Sequence, residues 1–199
     1  MEKKTQRTTR AVSQAQTRDK LIAAAQELFT QHGLNGTSID KIVAKAGFTK
    51  GAFYSNFNSK EDLMLSLLRK HKDDTFESFA DLIENSAPED LLDQIEKWLV
   101  EGNQDKDWII FNYELAINAA RNPEFTADYA EFMAAQYKAL EETLDAIFAK
   151  LGLKPKIPTH ELAVIVKQLS HSTALQSFAE GDTKLGGRDL VAFVRSIAE

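Results

Sequence analysis

The sequence predicts an all-α protein, and three observations carry that prediction. Apolar residues recur at helical spacing along nearly the whole chain, with no stretch alternating apolar and polar residues as a half-buried strand would. Hydroxyl and carboxamide residues stand ahead of these periodic stretches, where helix caps belong. Glycines stand where the stretches stop. Leu21, Ile22, Ala25, Leu28 and Phe29 form the stripe of a first helix, with Gly33 as its stop. Thr37-Ser38-Ile39-Asp40 has the form of a capping box, a hydroxyl followed three residues on by a carboxylate. It opens a short second helix, striped by Ile39, Ile42, Val43 and Ala46 and ended by Gly47. Thr49 caps a third helix with Phe53 and Phe57 on one face. Ser59-Lys60-Glu61-Asp62 is a second capping box, heading a long helix through Leu63, Leu67, Phe76, Phe79 and Ile83. Further helices are expected over 88–102, 107–121, 123–151, 159–180 and 187–198. Their start signals are Ser86 with Glu89, Asn122 before Pro123, and Thr159 with Glu161, and their stops are Gly102, Gly152 and Gly181. The result is nine helices joined by loops short enough for packed neighbours.

Composition narrows the function classes. The chain has 199 residues and no cysteine, which removes disulfides, thiolate metal sites and a cysteine nucleophile. Its four histidines are scattered singly, so no metal site and no cofactor is expected. The charged N-terminus has no apolar run behind it, and no stretch of about 18 apolar residues occurs anywhere, so a soluble, cytoplasmic protein without membrane contact is expected. Net charge is −6, yet residues 1–60 hold ten basic against four acidic side chains. A basic head on an acidic body directs only the head toward a polyanion.

The second and third helices, with the Gly47 turn between them, form a helix-turn-helix pattern. The start of the third helix presents Thr49, Lys50 and Gly51, where free amides and the positive dipole end favour phosphate. Gly51 carries no side chain to hold a DNA backbone away. Tyr54, Ser55 and Asn56 offer donors, acceptors and a flat ring to phosphates or base edges. Phe53 and Phe57 point inward as anchors. Thr37 and Ser38 at the second helix and Lys60 at the fourth are further phosphate candidates. Arg7 and Arg10, in a basic flexible tail over residues 1–16, suit either a minor-groove arm or solubilising charge.

The stretch from Thr37 to Leu63, with its capped short helix, Ala46-Gly47 turn, Lys50-Gly51, Phe53-Tyr54, Phe57 and Lys60-Glu61-Asp62-Leu63, resembles the DNA-binding signature of TetR-type (tetracycline-repressor-like) transcriptional regulators. With the first helix it covers about a third of the chain. Asn56 stands where that family often has His, and Phe48 where a smaller aliphatic is usual. The resemblance implies a nine-helix repressor that binds a double-stranded operator, dimerises through its last two helices and holds a small effector in between. It implies a DNA-binding domain over 17–60, an effector-binding and dimerisation domain over 61–199, and DNA contacts at Thr37, Ser38, Thr49, Lys50, Gly51, Tyr54, Asn56 and Lys60.

After residue 60 no phosphate loop, paired carboxylates or hydroxyl nucleophile with an evident base appears, so an enzyme is not expected. A set of aromatic and polar residues stands out instead: Trp98, Trp108, Phe111, Tyr113, Glu114, Asn118, Phe132, Gln136 and Tyr137. Ligand pockets are mostly apolar and aromatic with a few polar groups, and the same set also suits an ordinary helical core. The resemblance favours the pocket. Glu114 beside aromatics suits a cationic ligand, or else a protein cation such as Arg121. On the eighth helix Val164, Gln168, His171, Leu175 and Phe178 form one stripe, and on the ninth Leu190, Val191, Phe193, Val194 and Ile197 spread over more than one face. Helices apolar on two faces need two partners, so Val164, Gln168, His171, Leu175, Phe178, Val191 and Val194 are expected at a twofold homodimer interface. The expected function is a repressor released from its operator by a small molecule. The alternative is a ligand-independent architectural or cell-cycle DNA-binding protein on the same scaffold.

Overall fold

A computed structural model of the chain describes residues 3–101, 106–181 and 185–197, apart from the side chains of 3–11, 72–77, 101 and 185–187. In order the elements are α1 (Lys3–Gly36), α2 (Ile39–Ala46), α3 (Lys50–Tyr54), α4 (Lys60–Asn85), α5 (Leu91–Glu101), α6 (Lys106–Arg121), α7 (Pro123–Leu151), α8 (Thr159–Glu180) and α9 (Leu185–Ser196). No strand occurs among the described residues. Helix α1 starts at Lys3, so the segment expected as a flexible tail forms its opening turns. The side chains of Arg7, Arg10 and Phe76, and Gly102, lie outside the described residues. Gly33 does interrupt α1, through a left-handed φ of 66° that suits glycine.

Local chemistry accounts for most boundaries. Ser38 is the N-cap of α2, its hydroxyl accepting from the Lys41 amide, one residue later than the capping-box reading. Gly47 closes α2 in the left-handed region, its amide bonded to Ala44 and that of Phe48 to Val43. Thr49 caps α3 through the Ala52 amide, as expected. Ser59 caps α4 through the Asp62 amide, while the Asp62 carboxylate accepts from the Asn58 amide, one residue further back than in a capping box. Helix α5 begins at Leu91, later than the expected 88, and the buried Ser86 hydroxyl contacts Leu82 O behind it and Gln94 Oε1 ahead of it rather than an amide of the first turn. Residues 87–90 form a turn instead.

The chain divides into two compact units, residues 1–73 and 74–199, with the boundary inside α4, past the expected break at 60. In the first unit Leu21, Ala25 and Leu28 of α1, Ile42 of α2, Phe53, Phe57 and Leu63 build the interior. The second unit has two adjoining apolar clusters. Leu144 and Phe148 of α7 pack with Leu162, Ala163 and Val166 of α8 and Leu190 and Val194 of α9. Leu91 and Ile95 of α5 pack with Ile147 and Val191. Arg195 and Arg188 of α9 pair with Asp93 and Glu96 of α5. Lys150 of α7 donates to the last carbonyls of α4, at Ile83 and at Glu84 (2.9 Å), and so satisfies groups the helix end leaves open.

Candidate nucleic-acid interface and internal cavity

The first unit presents a continuous polar surface built on the α2–turn–α3 segment. Phe53 is fully buried and Phe57 nearly so, their ring centroids 5.5 Å apart, and these two anchors fix the outward side of α3. Tyr54 therefore faces solvent at 57% exposure, edge-on to Phe53. Ser38, Thr49, Lys50, Gly51 and Ser55 are exposed with it. The Ser55 hydroxyl donates to Gly51 O, and the Asn56 amide to Ala52 O. Lys50 forms a 2.8 Å ion pair with Asp40, across from α3 to α2, and that hydrogen bond, then the Asp40 charge, raises its pKa above the ordinary lysine value.

Two of the expected phosphate candidates have their polar groups engaged within the chain. Thr37 is 1% exposed, and its hydroxyl lies 3.1 Å from Leu28 O and 2.9 Å from Gly33 O, so it is held against carbonyls of α1. The Lys60 ammonium donates to Leu34 O (3.0 Å) and Thr37 O (3.1 Å), carbonyls of the same chain turn. Asn56, half-buried, is held rather than presented. One residue the sequence reading did not single out does the holding. Arg18 of α1 donates to Asn56 O and to Ser66 Oγ of α4, both at 2.6 Å, and its guanidinium lies 4.2 Å from the Phe57 ring centroid. The signal was present: Arg18 precedes Leu21 by three residues, on the buried face of α1.

The second unit contains a cavity of about 210 Å³ among α4, α5, α7, α8 and α9. Its wall is mostly apolar, with Phe79, Trp98, Leu140, Ile147 and Val194, and its polar lining is Thr143, Lys167, Ser170 and His171. Of the eight residues expected around a ligand, only Trp98 lines it; its ring sits 4.8 Å from Phe79. Trp108, Phe111, Glu114 and Asn118 lie on α6, which contributes nothing to this wall. Phe111, Phe132 and Gln136 are buried in packing, Asn118 holds a buried Oδ1 with no hydrogen-bond partner, and Tyr137 OH accepts from Gln168. Amphipathic spacing told that these residues face inward, and could not tell which inward faces meet across a void.

The expected interface set divides in the same way. Val191 (3% exposed) and Val194 (9%) belong to the chain's own core and line the cavity, as does half-buried His171, so these three are not on an outward face. On α8 the solvent side carries Val164 (42%), Gln168 and Leu169 (38%), with Leu175 and Phe178 half-buried. Burial holds the His171 pKa down at about 4, with the Lys167 charge adding to the effect, so the imidazole is neutral at neutral pH. Among the described residues no cluster of metal-binding side chains occurs, and no helix is long and apolar enough to cross a membrane.

Residues 21–67 match the family described as bacterial regulatory proteins, tetR family. Over 145 residues the chain is 23% identical to the HTH-type transcriptional repressor AcnR of Corynebacterium efficiens, covering 73% of each protein. Among solved structures it is similar to reduced NemR of E. coli, at 19% identity and a TM-score of 0.70 over 92% of this chain and 98% of that one. It is also similar to FadR of Bacillus subtilis in complex with stearoyl-CoA, at 18% identity and a TM-score of 0.63 over 88% and 96%. At these identities the solved structures speak for the fold.

Proposed function

We propose, from the premise that this chain is a TetR-type transcriptional regulator, that it is a homodimeric repressor released from a double-stranded operator by a small molecule held in the cavity of its second unit. The observation that carries the ligand-responsive part is the cavity itself. Protein interiors leave few voids larger than a water molecule, and 210 Å³ of mostly apolar space is room for a ligand. That a fold neighbour, FadR, carries stearoyl-CoA supports the reading. Ser38, Thr49, Lys50, Gly51, Tyr54 and Ser55 are the groups offered to DNA, phosphate at the α3 N-terminus and base edges from Tyr54 onward. The Val164, Gln168 and Leu169 side of α8 is the surface offered to a second copy, and two half-sites one turn of DNA apart ask for recognition helices about 34–36 Å from each other.

Helix α4 is the link. It is one continuous helix, with Ser66 bound to Arg18 near its start and Phe79 on the cavity wall further along. A ligand that displaces the Phe79 end shifts the helix that Arg18 ties to the Asn56 carbonyl, and the population moves away from DNA-competent spacing. Selection of bound sites from genomic DNA, repeated with candidate small molecules, tests this. Recovery of a palindromic operator lost on adding a ligand is the expected outcome. An operator that no small molecule releases would favour the ligand-independent architectural reading.

A further inference from the structure

Helix α3 has five residues, too few to hold a helix by its own hydrogen bonds, so its neighbours set its position. The carbonyls at its end are the groups that need donors from outside. Two are met locally: the Ser55 hydroxyl donates to Gly51 O and the Asn56 side-chain amide to Ala52 O, both at 2.8 Å. The two carbonyls just past the helix end are met from α1. Gln14 and Arg18 stand one turn apart on the same face of that helix, and donate to the successive carbonyls Ser55 O (3.3 Å) and Asn56 O (2.6 Å). The second arm of the Arg18 guanidinium donates to Ser66 Oγ of α4 at 2.6 Å, and that hydroxyl donates on to Asp62 O at 2.9 Å. The same group lies over the Phe57 ring, 4.2 Å from its centroid. A guanidinium is a rigid planar fork, so two arms and a ring contact fix angles as well as distances among α1, the end of α3 and α4.

We infer that Arg18 is a positioning residue for operator recognition: with Gln14 it holds the C-terminal end of α3 against α4, and so sets the orientation from which Tyr54 and its neighbours read base edges. This rests on the operator-binding reading above and adds to it a residue that is not among those offered to DNA. The two parts of DNA affinity respond differently to such a residue. Attraction to phosphate depends on charge and tolerates small rotations of the helix, whereas hydrogen bonds to base edges depend on distance and angle. Releasing the end of α3 therefore costs discrimination between sequences, and leaves the affinity for arbitrary DNA in place. A direct phosphate contact by Arg18 would do the opposite, weakening binding to every sequence alike.

The test uses the full-length protein and two duplexes: the one it enriches most from a random-sequence pool, and a scrambled version of it. Fluorescence anisotropy across a salt series, well below each melting midpoint by circular dichroism, gives both affinities and both salt slopes. Arg18→Met should lower the ratio of selected to scrambled affinity about tenfold or more, with the scrambled affinity and the slopes kept. Arg18→Lys, which offers a point charge in place of a fork, should lose part of the ratio. Ser66→Ala frees Arg18 from α4 and should also lose part of it, while the double variant Arg18→Met/Ser66→Ala should be no worse than Arg18→Met alone. A ratio unchanged in a folded Arg18→Met protein that melts earlier makes the residue structural only, and a slope shallower by about 0.9 on both duplexes makes it a phosphate contact; either overturns the inference. Where Arg18→Met does not fold, the other two single variants decide, and parent-level ratios in both overturn it. A parent chain that enriches no duplex refutes the operator reading itself, whereas a parent that discriminates and variants that match it refute the role of Arg18 alone.

Discussion

Replacing Lys60 with Met, which keeps the aliphatic stem and removes the ammonium, should destabilise the protein without altering how it reads phosphate. In the structure that ammonium donates to Leu34 O and Thr37 O at 3.0 and 3.1 Å, from a half-buried position. Hydrogen bonds to charged groups contribute about 1.5–3 kcal/mol each where buried, and solvent access here reduces the pair to about 2 kcal/mol in total. For a chain of this length that corresponds to a melting temperature lower by about 4–8 °C. Lys50→Ala is the matched control. Lys50 is exposed and its pair with Asp40 is of the kind that adds little stability, so its melting temperature should not move. Operator binding by fluorescence anisotropy across a salt series should then give a slope shallower by about 0.9 for Lys50→Ala, one phosphate contact, and an unchanged slope for Lys60→Met. A Lys60→Met protein that melts like the parent and loses a unit of salt slope would refute the assignment and return Lys60 to the DNA surface.

Thr37→Val should lower stability by about 1–2 kcal/mol, because the one hydroxyl proton shared between Leu28 O and Gly33 O is lost, and should leave the operator affinity of the folded protein unchanged; denaturant melts and anisotropy decide it. At Gly51 an added Cβ meets only Thr49 Oγ1 at 3.7 Å, so Gly51→Ala should fold normally, and a loss of operator affinity of tenfold or more in a gel-shift titration would mark the DNA backbone as the obstacle. Asp40→Asn removes the carboxylate that pre-pairs Lys50 and should raise affinity for non-operator DNA several-fold; equal affinity would show that the pair does not persist in solution. His171 has a folded pKa below its unfolded value, so the unfolded chain binds the extra proton, and stability is full above about pH 6.5 and declines by about 3 kcal/mol as pH falls toward 4. His171→Gln should flatten that decline in urea melts, with Lys167 and Tyr113, the groups facing it, left in place.

Much of the fold is legible in the sequence because its determinants are local. The bounds of α7 follow from Asn122-Pro123 and Gly152, which act on backbone groups within a few residues of themselves, and α8 ends at the left-handed Gly181, while its start at Thr159 follows Pro158 with no side-chain cap. The same holds for the Gly47 turn and the Thr49 cap, and hence for the helix-turn-helix surface that the family match covers. Only the tertiary structure decides where a side chain has several partners within reach. Thr37 and Lys60 have the chemistry of phosphate ligands, yet carbonyls at the end of α1 claim them, and nothing in their spacing reveals that competition. Hydrophobic periodicity likewise identifies an apolar face without naming what covers it. Val191 and Val194 meet α5, α7 and α8 of the same chain, whereas Val164 and Leu169 meet solvent, and the cavity opens where those packed faces fail to fill the space between them. Burial is non-directional, so a stripe of apolar residues specifies that a face is covered, and the arrangement of the other helices specifies by what.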